Sequence, residues 1–385
     1  MIPYGKQDLN ETDLNAVIET LRSDWLTQGP VGPKFEQAVA QKVGAQYAVA
    51  VNSATSALHL ACLALDLHSE DWLWTSPNTF VASANCALHC GAQVDFVDID
   101  PKTYNMCAKA LRDKLEKAEQ LGKLPKIVMP VHFSGQACDM QAIHTLSKQY
   151  GFKIIEDASH AIGGQYQSKP IGNCVYSDIT VFSFHPVKII TTGEGGLALT
   201  NDAMLADRMQ HLRSHGITRD ADKMESTSPG GWYYEQLELG CNYRLTDIQA
   251  ALGLSQLQRL DKFISRRQEI TKNYDQKLKD MPVILPSQHQ DNYSACHLYV
   301  IQIDDTISSV SRKQVFHDLR EAGILVNVHY IPVYMQPYYR KLKFQPKTCI
   351  EAEKYYARAI TLPLFFALTD AQQDEVVHVL SKILQ

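Results

Sequence analysis

One lysine interrupts an otherwise apolar run. In VFSFHPVKIITTGEGG (residues 181–196), Lys188 follows Val187 and precedes Ile189 and Ile190, where a β-rich stretch gives way to glycine-rich chain. Most lysines stay in water. A lysine among apolar neighbours has a lowered pKa, and its free amine can form a Schiff base with a carbonyl. Pyridoxal 5'-phosphate is the commonest cofactor that needs such a lysine. It makes three further demands: a carboxylate at the pyridine nitrogen, donors for the phosphate, and a flat partner for the ring.

Each demand has a candidate, and each candidate has a plainer reading. Asp157 closes the run KIIED and can keep a pyridinium protonated; taken alone it reads as a turn or N-cap aspartate. His160, three residues on, can contact the ring hydroxyl, or it can be structural. NSATSAL (52–58) is a small-residue turn opening a helix, where backbone N–H groups suit an anion; an ordinary helix cap gives the same pattern. Ser183 can add a hydroxyl to the phosphate. Phe80, in SPNTFVASAN, can lie against the ring, although an aromatic in an apolar stretch is usually core. GEGG is not followed by Lys-Ser/Thr, so it is no phosphate loop of the nucleotide-binding kind. Its glycines are expected to permit close backbone approach beside the lysine.

These residues need a frame that brings strand ends together. AVAV (48–51), LWTSP, VDFVDID, KIVMPVHF (126–133), FKIIEDA (152–158), DITVFSF and GGLALT read as strands, with helical periodicity between several of them. Strand–helix alternation predicts an α/β fold around a mainly parallel sheet, with ligands at the carboxyl ends of the strands. From Leu245 to about Leu278 apolar residues recur at helical spacing, which predicts one long amphipathic helix stopped by Met281-Pro282. HLYVIQID and ILVNVHYIPV read as further strands, and DAQQDEVVHVLSKILQ as a closing helix. Residues 1–250 are expected to form a large cofactor-binding domain, and 251–385 a bridging helix with a small C-terminal domain. Ser226–Gly231 is the one loop-like shift in composition.

Composition excludes several classes. The 385-residue chain carries a net charge of −5, which offers no electrostatic footprint for nucleic acid or an anionic membrane surface. The most apolar long stretch, Tyr47 to Leu67, is broken by polar residues and makes a poor membrane span. The N-terminus lacks the layout of a secretory signal. Nine cysteines with no C-x-x-C pair fit the reducing cytosol, so a cytoplasmic location is expected. Cys86-Ala-Leu-His89-Cys90 is the one tight cluster of soft ligands; its helical spacing in an apolar run reads as core, and no metal is expected.

NSATSAL, SPNTFVASAN, EDASHAIGG, FSFHPVKIITTGEGG, RSHGI (213–217), NYRLTDIQAALGLSQL (242–257) and VHYIPV (328–333) occur in this order. Together they resemble the DegT/StrS family of pyridoxal-phosphate sugar aminotransferases, from about residue 3 to the C-terminus. The resemblance implies fold type I, the aspartate aminotransferase-like architecture, with a seven-stranded large-domain sheet, a small C-terminal α+β domain and a homodimer. It implies Lys188 and Asp157 as catalytic residues, with His160, Phe80, Ala54, Thr55, Ser183 and Asn242 also around the cofactor, Asn242 reaching in from the partner subunit. It implies Tyr4, Trp25, Leu26, Thr27, Val328, His329, Tyr330 and Ile331 at the sugar. On the residues alone, Asn242 would be a helix cap, competing with Thr246. His185-Pro186 before the lysine is not the commonest filling of that gap.

Within that family the chain most resembles the branch that aminates C4 of a UDP-linked 4-keto-6-deoxy-2-acetamido sugar in pseudaminic acid biosynthesis, which implies that activity with L-glutamate as donor. Alternatives are transaminases of other nucleotide 4-keto sugars, of the perosamine or bacillosamine type, or a non-catalytic sugar-binding relative. The last would be expected to lack Lys188 or Asp157. Dehydration at C3 is disfavoured, because the dehydratases of this resemblance carry histidine at the lysine position.

Overall fold

A computed structural model describes residues 1–385. Seven strands form the central sheet: β1 (Tyr47–Val51), β2 (Trp72–Thr75), β3 (Gln93–Phe96), β4 (Ile127–Met129), β5 (Lys153–Asp157), β6 (Ile179–Ser183) and β7 (Gly196–Thr200). Their order is β1-β7-β6-β5-β4-β2-β3. Every pairing from β6 through β5, β4 and β2 to β3 is parallel, whereas β7 runs antiparallel to both of its neighbours. All seven expected strands are therefore present; β1 is one residue longer than its run and the others are shorter.

The strands are apolar along their whole length because both faces of the sheet are covered. Phe182, Leu197, Leu199, Ile154 and Val128 pack into one core; Val181, Ala198, Ile155, Ile127 and Met129 pack into another on the opposite face. Since β1, β2, β5 and β6 point the same way, the chain leaves all four at one edge. Asn52-Ser53, Ser76–Phe80, Ala158–His160 and Phe184–Lys188 follow those exits directly.

Helix α1 (Glu11–Arg22) precedes the sheet, and α2 (Ala54–Ala64) begins three residues after β1. Ser53 caps α2 by accepting a hydrogen bond from the Ser56 N–H at 3.1 Å. One rung of the sheet sets Val51, Gly196 and Ser183 side by side. A Cβ on Gly196 would lie 2.4 Å from both the Ala54 nitrogen and the Ser53 carbonyl carbon. The glycine-rich end of the Lys188 segment thus permits the close approach expected of it, against the start of α2.

The single long helix expected from Leu245 to Leu278 is two helices, α3 (Asp247–Leu257) and α4 (Leu260–Leu278). At the junction Arg259 leaves helical geometry, with φ −102° and ψ 3°. Its guanidinium binds Asp8 at 2.6 Å and buried Asp13, which also accepts from Ser255 at 2.6 Å and Gln256 at 2.7 Å. The break serves contacts nearly 250 residues away in sequence, which periodicity cannot register. The start also differs from the Asn242 alternative: Thr246 caps α3 through a reciprocal pair with Gln249.

Helix α4 joins two cores, placing Leu260, Phe263 and Ile264 in the sheet's and Ile270, Tyr274 and Leu278 in the C-terminal one. The latter forms around strands β8 (Val283–Ile284), β9 (Tyr299–Ile303) and β10 (Ala359–Leu362), antiparallel in the order β8-β9-β10, and the last helix, α5 (Asp370–Leu384). The stretch ILVNVHYIPV is not a strand throughout. Ile324–Leu325 pairs in parallel with Ile2–Pro3, Asn327 makes a single bridge to Thr361, and Val328–Pro332 is loop. Its backbone turns to other partners: Tyr330 N–H donates to Asn78 Oδ1 at 3.1 Å, and Val333 N–H to the Pro77 carbonyl at 3.0 Å. No helix is long and apolar enough to cross a membrane.

Gly196→Ala is expected to destabilise the protein by about 1–3 kcal/mol, because backbone atoms cannot yield to the added methyl. Urea unfolding would read this as a lower midpoint. An unchanged midpoint would show that the Ser53–Ala54 turn moves aside freely.

Candidate active site

Asp157, the last residue of β5, is buried at 5% exposure. Its Oδ1 accepts from the Ser159 N–H at 3.1 Å and the Ser159 hydroxyl at 2.6 Å, and its Oδ2 from the Ser83 hydroxyl at 2.6 Å. The Ser159 bonds are the local turn that the plainer reading of Asp157 anticipates. They do not exhaust it: two carboxylate oxygens offer about four acceptor positions, so Oδ2 can still take a further donor.

Lys188 lies in the connection between β6 and β7, its N–H bonded to the His185 carbonyl at 2.8 Å. Burial lowers its pKa from 10.5 to about 8, and the negative charge of Asp157 opposes that shift. His160 sits in the turn after β5. Its Nδ1 accepts from the Ser134 N–H at 3.3 Å, and its Nε2 lies 3.2 Å from the Tyr330 hydroxyl. Burial first, and then Lys188, push its pKa well below the ordinary histidine value. His329 is shifted the same way, to about 3, by burial and by Lys188. The Tyr4 ring lies 5.4 Å from that of His329.

At the sheet edge beside them, the N–H groups of Ala54 and Thr55 have no hydrogen-bond partner, and neither does the Ser183 hydroxyl. Unpaired donors at a helix start suit an anion. Phe80 is 61% exposed, so it is not the core residue its apolar context suggests. Its carbonyl accepts from the Ser83 N–H at 3.3 Å, while the Ser83 hydroxyl donates to Asp157.

The other candidates make no hydrogen bond to Lys188 or Asp157. Asn242 is exposed and pairs with Ser214, while the adjoining Tyr243 and Arg244 flank β1 on the side away from β7. Thr27 pairs with Thr246, and the Leu26 carbonyl accepts from the Asp247 N–H at 3.0 Å. Trp25 and Leu26 are exposed, as is Ile331. Val328 is half-buried beside Asn327. In the cysteine cluster Cys86 is buried but His89 is exposed. Motif reading passed over His297, which is 4% exposed with its ring 4.4 Å from that of His160. Nothing in SACHLYV marks it out; only the packing does. Ser83 and Asn78 were visible inside SPNTFVASAN but had no reason to be singled out.

A low-pKa amine facing a buried carboxylate can move protons and bond reversibly to carbonyl carbon, which is the chemistry of amino-group transfer. The chain belongs to the DegT/DnrJ/EryC1/StrS aminotransferase family, whose model matches residues 7–381. That family depends on pyridoxal phosphate, and the chain is an aminotransferase. It is 39% identical to the spore coat polysaccharide biosynthesis protein SpsC of Bacillus subtilis, over 100% of this chain and 97% of that one. It is 36% identical to the UDP-4-amino-4,6-dideoxy-N-acetyl-beta-L-altrosamine transaminase of Campylobacter jejuni, over 100% and 98%. Among solved structures it is similar to Helicobacter pylori PseC, an aminotransferase of pseudaminic acid biosynthesis, at 31% identity and TM-score 0.90, covering 100% and 99%. The sugar aminotransferase Spr1654 of Streptococcus pneumoniae in its PMP form gives 30% and 0.90, over 100% and 99%. The expected α/β transferase fold is thereby established.

In the cofactor-free protein, labelling of Lys188 by an amine reagent should rise with an inflection near pH 8, because only the free base reacts. Asp157→Asn should move the inflection lower still, since Asp157 opposes the effect of burial. Peptide mapping by mass spectrometry reads both. An inflection near 10.5 would place Lys188 in water.

Proposed function

We propose that the protein transfers an amino group from L-glutamate to C4 of a UDP-linked 4-keto-6-deoxy-2-acetamido sugar, the step that serves pseudaminic acid biosynthesis. The observation that carries the reading is the Lys188 amine, held near pH 8 within Coulombic reach of buried Asp157. The names and coverage of the Campylobacter and Helicobacter relatives support the sugar class.

The residues fit pyridoxal phosphate. Asp157 Oδ2 has acceptor capacity left for the pyridine N–H. The free N–H groups of Ala54 and Thr55, with the Ser183 hydroxyl, offer donors to a phosphate. Phe80 presents an uncovered ring face. When bound, the cofactor supplies a conjugated ring that draws electrons from the carbon bearing the amino group. Lys188 Nζ takes the proton from that carbon and returns it elsewhere, which an amine near pKa 8 does efficiently at neutral pH. Asp157 keeps the ring nitrogen protonated. His160, His329 and Lys188 line the approach, with Tyr4 against His329; Trp25, Leu26, Thr27 and Val328–Ile331 are assigned to the sugar.

In this reading residues 1–250 form the large domain and 251–385 the small one, and two copies share each site. Exposed Leu14, Ile18 and Leu21 recur at helical spacing on α1. With Trp25, Leu26 and Trp232 they offer apolar surface for a second subunit. Asn242, exposed on its own subunit, is assigned to the partner's phosphate.

A panel of nucleotide 4-keto sugars with glutamate, scored by mass spectrometry, tests the substrate. The UDP-linked 2-acetamido compound should be aminated fastest. Preference for a GDP sugar, or for one of the bacillosamine type, would replace this reading. Asp157→Asn should cut turnover by about 10²-fold or more.

Complementation tests the shared site. Lys188→Ala subunits mixed with impaired Asn242→Ala subunits should form heterodimers with one intact site and regain part of the activity. No recovery despite demonstrated subunit exchange would place Asn242 outside the site.

A further inference from the structure

We infer that Tyr330 presents a hydroxyl hydrogen, not a lone pair, to an oxygen of the ligand held near Asp157 and Lys188, and that His160 is the positioning residue that sets this polarity. The inference deepens the aminotransfer reading and rests on it for the ligand's identity.

The argument begins at a group with no choice. The Ser134 backbone N–H can only donate, and it points at His160 Nδ1 from 3.3 Å. Nδ1 must therefore offer its lone pair. His160 is uncharged, since burial and the neighbouring Lys188 disfavour the imidazolium. A neutral imidazole with a lone pair on Nδ1 carries its proton on Nε2. That proton faces the Tyr330 oxygen at 3.2 Å, so His160 donates and Tyr330 accepts.

Tyr330 keeps its own hydroxyl hydrogen. Burial, and next the charge of Asp157, raise its pKa above the usual phenol value, so it does not ionise near neutrality. No acceptor within the protein takes that hydrogen; the one partner of the hydroxyl is His160. A bound oxygen is what remains.

The arrangement is built to hold its direction. The His297 ring lies 4.4 Å from that of His160, its Nδ1 buried without a partner, and it is neutral through burial and the nearby His160 and Lys188. Phe133 packs 6.1 Å from both the His160 and Tyr330 rings. The Tyr330 backbone is pinned to Asn78, and the preceding His329 carbonyl accepts from Tyr355 at 2.7 Å.

The acceptor is an electron-rich oxygen, either the ring oxygen of the cofactor or the keto oxygen of the sugar. Three measurements decide. First, ¹⁵N NMR of His160 in the cofactor-free protein should show the Nε2–H tautomer at pH 7. An Nδ1–H tautomer or an imidazolium overturns the inference, whatever the substrate proves to be. Second, Tyr330→Phe loaded with pyridoxal phosphate should change the resting absorption spectrum if the ring oxygen is the acceptor. If the keto oxygen is, the spectrum and the glutamate half-reaction should match wild type, and kcat/KM for the sugar should fall by about 10- to 100-fold. Wild-type behaviour in all three overturns the proposal. Third, His160→Phe should reproduce the Tyr330→Phe defect, and the double variant should be no worse than either, because the two act as one unit. Additive defects would show that His160 does not act through Tyr330.

Discussion

Everything at the site depends on two stretches of backbone lying closer than any side chain would allow. Gly196 meets the Ser53–Ala54 turn with no room for a methyl group. That contact fixes the start of α2 against the strand that returns from Lys188, and the same rung carries Ser183. The amine and the candidate anion site are thus set by one sheet register, not by two independent loops. A loosened contact would let the phosphate end and the carbonyl end of a ligand drift relative to each other, and small misplacements near reacting atoms cost large factors in rate.

The electrostatics of the cleft are sparse for a site so rich in titratable groups. His160, His297 and His329 are all driven toward the neutral form, chiefly by burial. Beneath them Arg267 is buried with no carboxylate, donating to the carbonyls of Cys296, His297 and Leu364. With a guanidinium below and an ammonium above, another positive charge is costly, so the imidazoles serve as hydrogen-bonding groups and not as cations. Asp157 is left as the main negative charge opposite Lys188, which suits a cofactor whose nitrogen must stay protonated.

Much of this was readable in the chain. Strands buried on both faces write themselves as continuous apolar runs, and all seven could be placed. Lys188 and Asp157 stood out because charged residues at the ends of such runs need a reason. What could not be read depends on contacts distant in sequence. Arg259 breaks a helix to reach Asp8 and Asp13. Asn78 and Pro77 draw the backbone of VHYIPV away from a strand. Phe80 carried two readings, ring partner or core, because apolar neighbours do not reveal which way a ring points. His297 was invisible, since a neutral histidine chosen to pack against another leaves no pattern of spacing. The capping of α3 was a different case: the T-x-x-Q at Thr246 was present in the sequence, and the choice between it and Asn242 needed only the reciprocal bond.

The pairing of Ile2–Pro3 with Ile324–Leu325 bears on how the molecule is made. Ile2–Pro3 has its partner about 320 residues downstream, so during synthesis it must wait for that later segment. Ile2 is buried once paired, while Met1 beside it is almost fully exposed. The large sheet can assemble during translation, but Tyr4, which follows this strand and meets His329, takes its place only after the strand's partner has been made. A nascent chain stalled before residue 324 would have its sheet and its lysine yet leave one wall of the cleft unbuilt. A segment made much later is in this sense what admits Tyr4 into the active site.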